Sequence, residues 1–205
     1  MWLLFDVGII KKKSDSLRKM AAQLSTSASD ALLAWSVLYF IFHLHSYNFF
    51  ACLGIAIHGI AASLGVVRFA QARQTGAIYD YHQMASWLAQ VVGLPLMAAG
   101  FCYKDLPIVM NLNLMMMFAV LVTSRSMAPG RRQQATLCCS AFALLTIAVI
   151  SYRAHIIYGL YGTAAYVLSG VIGSQGKVGP IYRVDLLHVV LTAGNILYTW
   201  ALLQL

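Results

Sequence analysis

Long apolar runs, separated by short polar breaks, dominate this chain. About seven such runs fall near 30–45, 49–70, 83–103, 107–123, 134–152, 156–173 and 184–204. A helix needs about 20 apolar residues to cross the hydrocarbon of a bilayer, or somewhat fewer when flanking side chains snorkel. The first and fourth runs are short by that measure. The breaks at 45–48, 103–106 and 153–155 are tight, so neighbouring runs should form antiparallel helix hairpins. The pattern predicts an all-α, polytopic integral membrane protein with about seven transmembrane helices over 28–205.

Ahead of that bundle, residues 1–27 read as a basic amphipathic arm. Ile10, Leu17, Met20, Ala21 and Leu24 recur at helical spacing, while Lys11, Lys12, Lys13, Arg18 and Lys19 take the other faces. Such a helix lies flat on an anionic leaflet, with the five cations against lipid headgroups. A frayed, solvated arm is the plainer alternative. In MWLLFDVGIIKKK the apolar part precedes the basic part, the reverse of a secretory signal, which predicts that it is retained. Asp6 and Asp15 interrupt what would otherwise resemble a mitochondrial presequence.

Within the runs, polar residues keep to stripes. Asp185, His188, Thr192, Asn195 and Thr199 follow at steps of three and four, which lays them along one face of the last helix. His82, Ser86 and Gln90 repeat the arrangement in the third run, ahead of Gly93 and a helix-bending Pro95. Asn111 and Asn113, two apart, cannot share a face. His58 lies about nine residues into the second run, near the bilayer midplane, on a surface of small residues: Gly54, Ala61, Ala62 and Gly65. A partner for His58 is expected from the last helix.

Composition agrees with lipid as the solvent: 60% of the 205 residues are hydrophobic and 10% charged, and the mean hydropathy is +0.75. Soluble domains carry about a quarter charged residues. Glutamate is absent, and fourteen Lys and Arg against six Asp give a net charge of +8. Seven crossings would gather twelve cations on one side (Lys11, Lys12, Lys13, Arg18, Lys19, Arg68, Arg73, Arg125, Arg131, Arg132, Lys177 and Arg183) and two, Lys104 and Arg153, on the other. The positive-inside rule then puts the N-terminus in the cytosol. The basic balance points to headgroups rather than nucleic acid. Cys52, Cys102, Cys138 and Cys139 lack metal-ligand spacing and read as small hydrophobes.

Two readings fit the polar lining. In the first, Thr, Asn, Gln and His bond across helices, Asp185 sits at the positive end of its helix dipole, and no ligand is needed. In the second, Asp185 and His188 join Asp80 and His82, with His58 as a further candidate member, in a pocket at the cytosolic face, a set of a kind that could hold a metal or act as acid and base. His58, Gln90, Thr192 and Asn195 are further ligand-binding candidates. No HExxH, GxSxG or phosphate loop occurs, and neither a metal nor a cofactor is expected. His43 and His45 point to different faces. Tyr158, Tyr161, Tyr166, Tyr198 and Trp200 read as an aromatic belt with some packing.

The segments VVGLPLMAAGF, YGLYGTAAYVLSGVIG and DLLHVVLTAGNILYTWAL resemble those of the transmembrane protein 276 family, small multi-span membrane proteins of animals. The resemblance covers roughly the C-terminal three fifths of the chain. It implies a polytopic helical fold and no particular reaction. Similarity to the progestin and adiponectin receptor and ceramidase superfamily is one of topology only, because the metal-binding histidine pair of its last helix is absent here.

The expected function is therefore a multi-pass membrane protein, in an endomembrane such as the endoplasmic reticulum before a mitochondrial membrane. Its bundle would bind a lipid, a small ligand or a membrane-protein partner. An embedded lipid hydrolase using Asp80, His82, Asp185 and His188 is the alternative. A transporter or channel with a water path past Gln90, His58 and Asn195 is the third reading.

Overall fold

The computed structural model describes residues 3–71, 76–102 and 106–205, and their side chains apart from those of 3–19, 21 and 22. The side chains of Lys11, Lys12, Lys13, Arg18 and Lys19, expected on headgroups, lie outside the described residues, as do Arg73 and Lys104. The helices are α1 (Leu3–Leu44), α2 (Phe49–Ala70), α3 (Ala77–Leu88), α4 (Leu94–Cys102), α5 (Pro107–Thr123), α6 (Pro129–Arg153), α7 (Ile157–Ile172) and α8 (Arg183–Leu202). A π-helical turn, Ala89–Gly93, joins α3 to α4 as one bent rod. The short strands β1 (Lys177–Val178) and β2 (Ile181–Tyr182) form a hairpin before α8.

Local chemistry sets several boundaries. The Asn48 side chain accepts from the Ala51 amide at 3.1 Å and caps α2. Pro107 and Pro129 open α5 and α6, where a missing N–H costs no helical bond. Gly173, at φ 67°, ends α7.

Inside the bent rod, Pro95 offers no N–H to the carbonyls one turn back. α6 supplies substitutes: Cys139 Sγ donates to Val91 O at 3.8 Å and Ser140 Oγ to Gln90 O at 3.2 Å. A proline is tolerated in an apolar helix when a neighbouring helix meets the freed backbone groups in this way.

Among the described residues, five helices are long and apolar enough to cross a membrane: Gln23–Leu44, Phe49–Ala70, Ala77–Cys102, Pro129–Arg153 and Arg183–Leu202. The expected fourth and sixth crossings correspond to α5 and α7, shorter apolar helices of 17 and 16 residues. The length of five rather than seven helices thus suffices unaided. The first run was also misplaced at its start. Asp30 does not mark the edge of the span but is buried seven residues inside it.

Contacts fix the helix directions. α2 runs antiparallel to α1, with Ser27 bonded to Val66 O at 3.0 Å and Gly59 against Val37. The α3–α4 rod runs antiparallel to α2: Arg68 meets His82 at one end, and Asn48 meets Gly100 O at the other. α6 is parallel to that rod through Trp87–Thr136 and Gln90–Ser140. α8 is parallel to α1, with a bond from Asn195 to Ser36 and another from Trp200 to Tyr39. α7 and α8 close on each other antiparallel through two glycines. A Cβ at Gly162 would stand 2.6 Å from the Tyr198 ring, and one at Gly194 2.9 Å from the Tyr166 ring.

The central core joins Val37, Phe40, Ile55, Met97, Ile147 and Tyr198. Leu38, Phe42, Ile60, Met115, Phe118 and Val171 are each more than half exposed on the outer wall. An apolar exterior around a partly polar interior is what lipid as solvent requires.

Candidate functional site

The parallel pairing of α1 and α8 brings two polar stripes together rung by rung. On α1, Ser25, Thr26, Ser29 and Asp30 recur at a spacing that gives one face. On α8, Asp185 and His188 face them. Thr26 Oγ1 donates to Asp185 Oδ1 at 2.7 Å, and Ser25 Oγ donates to the second oxygen. One turn deeper, Ser29 Oγ lies 3.0 Å from His188 Nδ1, and His188 Nε2 lies 3.4 Å from Asp30 Oδ1.

Asp30 is the buried centre of this cluster, 1% exposed. It fits because Gly65 of α2 stands behind it, where any Cβ would overlap the carboxylate. Arg68 follows Gly65 by one turn of α2, on the same side of the helix. The guanidinium lies over the Phe69 and Tyr79 rings, at 4.7 and 4.3 Å, and its Nη1 donates to His82 Nδ1 at 2.8 Å. Since arginine has no acceptor to offer, His82 Nδ1 carries no proton in this arrangement. In and beside this cluster, three polar atoms are buried with no hydrogen-bond partner among the described residues: Asp30 Oδ2, Arg68 Nε and Thr192 Oγ1, the last one turn beyond His188.

The other candidates are placed as follows. His82 reaches the cluster through Arg68, whereas Asp80 is exposed on α3. Among the described residues no group of three His, Cys, Asp or Glu is arranged to hold a metal. His58 does not turn to α8 for a partner. Its Nδ1 pairs with Gly54 O at 3.1 Å, its ring packs at Gly93 beside the π turn, and Tyr166 of α7 stands edge-on at 6.1 Å. Gln90 is exposed, bonded to Ser86 O at 3.4 Å. Asn195 is sealed in the bundle, donating to Ser36 Oγ at 2.8 Å and accepting from the Tyr166 hydroxyl. Tyr198 donates to Thr163 Oγ1 at 3.1 Å. Tyr166 and Tyr198 are therefore buried polar anchors, while Tyr161 is exposed on the outer wall.

Sequence reasoning missed Asp30 and Arg68, having placed both at the limits of spans. The signal for Asp30 was present in the Ser25, Thr26, Ser29, Asp30 spacing, which mirrors the stripe of the last helix. Compared with family models, curated proteins and solved structures, the chain matches none.

Chemically, the cluster brings three hydroxyls, an imidazole and two carboxylates together near a guanidinium, with Asp30 and His188 buried and Ser25 exposed at its edge. Its geometry suits passing a proton between Asp30 and His188, 3.4 Å apart.

Proposed function

We propose that this is a seven-crossing membrane protein, N-terminus cytosolic, whose bundle binds a small polar ligand or lipid headgroup at the Asp30 cluster. The observation that carries the ligand reading is the Asp30 carboxyl, buried with an oxygen that no group among the described residues satisfies. Buried polar atoms are nearly always bonded, and an intramembrane charge is a functional position by default. A ligand bearing a hydroxyl or ammonium would meet Asp30 Oδ2. An acceptor on the same molecule would meet Arg68 Nε.

Support for seven crossings comes from the helix directions. α6 runs parallel to the α3–α4 rod, and α8 runs antiparallel to α7 and parallel to α1, the directions that alternating crossings by α5 and α7 produce. α5 and α7 rise about 25 and 24 Å at 1.5 Å per residue, short of a roughly 30 Å core, a mismatch met by local thinning and snorkelling. Six described cations, Arg68, Arg125, Arg131, Arg132, Lys177 and Arg183, lie at the end that holds the Asp30 cluster, against Arg153 at the other. This reading keeps kinship with the transmembrane protein 276 family and an endoplasmic reticulum location as its corollaries.

The test is mass analysis of what co-purifies with the protein in mild detergent. Asp30→Asn keeps the shape but exchanges the carboxyl for an amide, and should deplete the bound species roughly tenfold or more. Equal recovery from both proteins would end the ligand reading.

A second reading, a membrane-embedded lipid hydrolase, is favoured by one observation: His188 holds Ser29 on one ring nitrogen and Asp30 on the other, the order that activates a serine. Against it, Ser29 Oγ also lies 2.9 Å from Thr26 O, which competes for its single proton. Labelling by a fluorophosphonate that vanishes in Ser29→Ala would favour hydrolysis, and unlabelled wild-type protein would remove it.

A further inference from the structure

A second polar site lies at the same end of the bundle, between the α3–α4 rod, the end of α5 and the start of α6. It is a cavity of about 490 Å³ whose lining includes Trp87, Gln90, Arg125, Arg132, Gln133 and Leu137. No residue lining it is acidic. Among the described residues neither arginine is paired with a carboxylate. The two positive charges are therefore uncompensated by the described residues.

The wall is built to hold Arg132. Arg132 lies over the Trp87 ring at 4.2 Å, and the Trp87 indole donates to Thr136 Oγ1 at 3.0 Å, which in turn donates to Arg132 O at 2.9 Å. This fixes the guanidinium by stacking while leaving its N–H fork free, the form in which arginine recognises phosphate. The first turn of α6 adds to the positive field, since neither a side-chain cap nor an acid is present there. Leu137, 58% exposed on the same wall, continues the cavity onto the apolar outer face of α6. A free anion would make no use of that face. An anionic lipid would.

We infer that this cavity binds the phosphate headgroup of an anionic phospholipid, with the acyl chains leaving along α6 past Leu137. Basic pockets between membrane helices bind anionic headgroups by the same combination of charge and depth. The site is separate from the Asp30 cluster: no residue is shared, and a lipid seated here touches neither Asp30 nor His188.

The experiment is native mass spectrometry of the full chain in neutral detergent, titrated with phosphatidic acid, with phosphatidylcholine, and with inorganic phosphate as competitor. Wild type should prefer phosphatidic acid, and Arg125→Gln with Arg132→Gln should lower that preference by about thirtyfold. Because Arg132 also packs on Trp87, Gln133→Glu provides a second route. It places a carboxylate in the lining, leaves the stack intact, and should likewise abolish the preference. Arg153→Gln, at the opposite end, should leave it unchanged. No preference in wild type, or one that survives both the double variant and Gln133→Glu, would overturn the proposal. So would displacement of the lipid by an equal concentration of inorganic phosphate, which would reassign the cavity to a soluble anion.

Discussion

Asn195 shows how a polar side chain holds this bundle together without any ligand. It accepts from Tyr166 on α7 and donates to Ser36 on α1, so one amide ties three helices. Removing it strands the buried Tyr166 hydroxyl, whereas Ser36 keeps its own bond to Leu33 O at 2.7 Å. Hydrogen bonds between membrane helices average well under about 1 kcal/mol, but an unmet buried group costs about 1–3 kcal/mol. Asn195→Ala should therefore lower unfolding stability in detergent by about 2 kcal/mol, measured by denaturant titration. Asn111, exposed on α5, serves as the control, and Asn111→Ala should change stability by less than about 0.5 kcal/mol. Equal effects from the two would remove the cross-helix role. Asp30 behaves differently: its second oxygen has no partner among the described residues to strand, so Asp30→Asn should cost less stability than Asn195→Ala.

Among the helices, the α7–α8 pair depends on backbone proximity. Each helix offers a glycine to the other's tyrosine: Gly162 receives Tyr198, and Gly194 receives Tyr166. Small residues at such contacts replace the hydrophobic drive that lipid cannot supply. Gly162→Val would push its side chain into the Tyr198 ring and loosen the Tyr198–Thr163 bond. A loss of about 1–3 kcal/mol is expected from overpacking. Gly170, with open space where its Cβ would stand, should accept valine at little cost. A thermal melt of both variants in detergent distinguishes them, and equal melting temperatures would count against the reciprocal packing. The α3–α4 rod makes the complementary point: its bend at Pro95 is stabilised from outside, by Cys139 and Ser140 of α6, rather than by its own sequence.

For the assembled bundle, the parallel run of α1 and α8 carries the claim about sidedness. Ser126 lies after α5 at the cation-rich end, and His155 lies between α6 and α7 at the other. Cysteine at position 126 should react with an impermeant thiol reagent only from the cytosolic side. Cysteine at position 155 should react only from the opposite side. Labelling of both from one side would break the sevenfold crossing. Both polar sites lie at the cytosolic end under this reading, so the headgroup cavity and the Asp30 cluster would face the same leaflet.

Apolar runs were sufficient to locate the helices, because a chain in lipid must close its backbone hydrogen bonds within each segment, so the hydrophobic stretch sets where each one lies. The bounds of α2 and α5 were legible to the residue. The stripe from Asp185 to Thr199 was also legible, since periodicity alone defines a helix face. Which helix that face meets was not, because pairing depends on direction and on small-residue contacts far apart in sequence. Tertiary packing brought α1 alongside α8, drew Asp30 rather than Asp80 to His188, and gave His58 a carbonyl of its own helix. Asp30 looked like the end of a span because a carboxylate is costly in an apolar run. Only the folded bundle supplies the imidazole, the guanidinium and the space at Gly65 that make its burial possible.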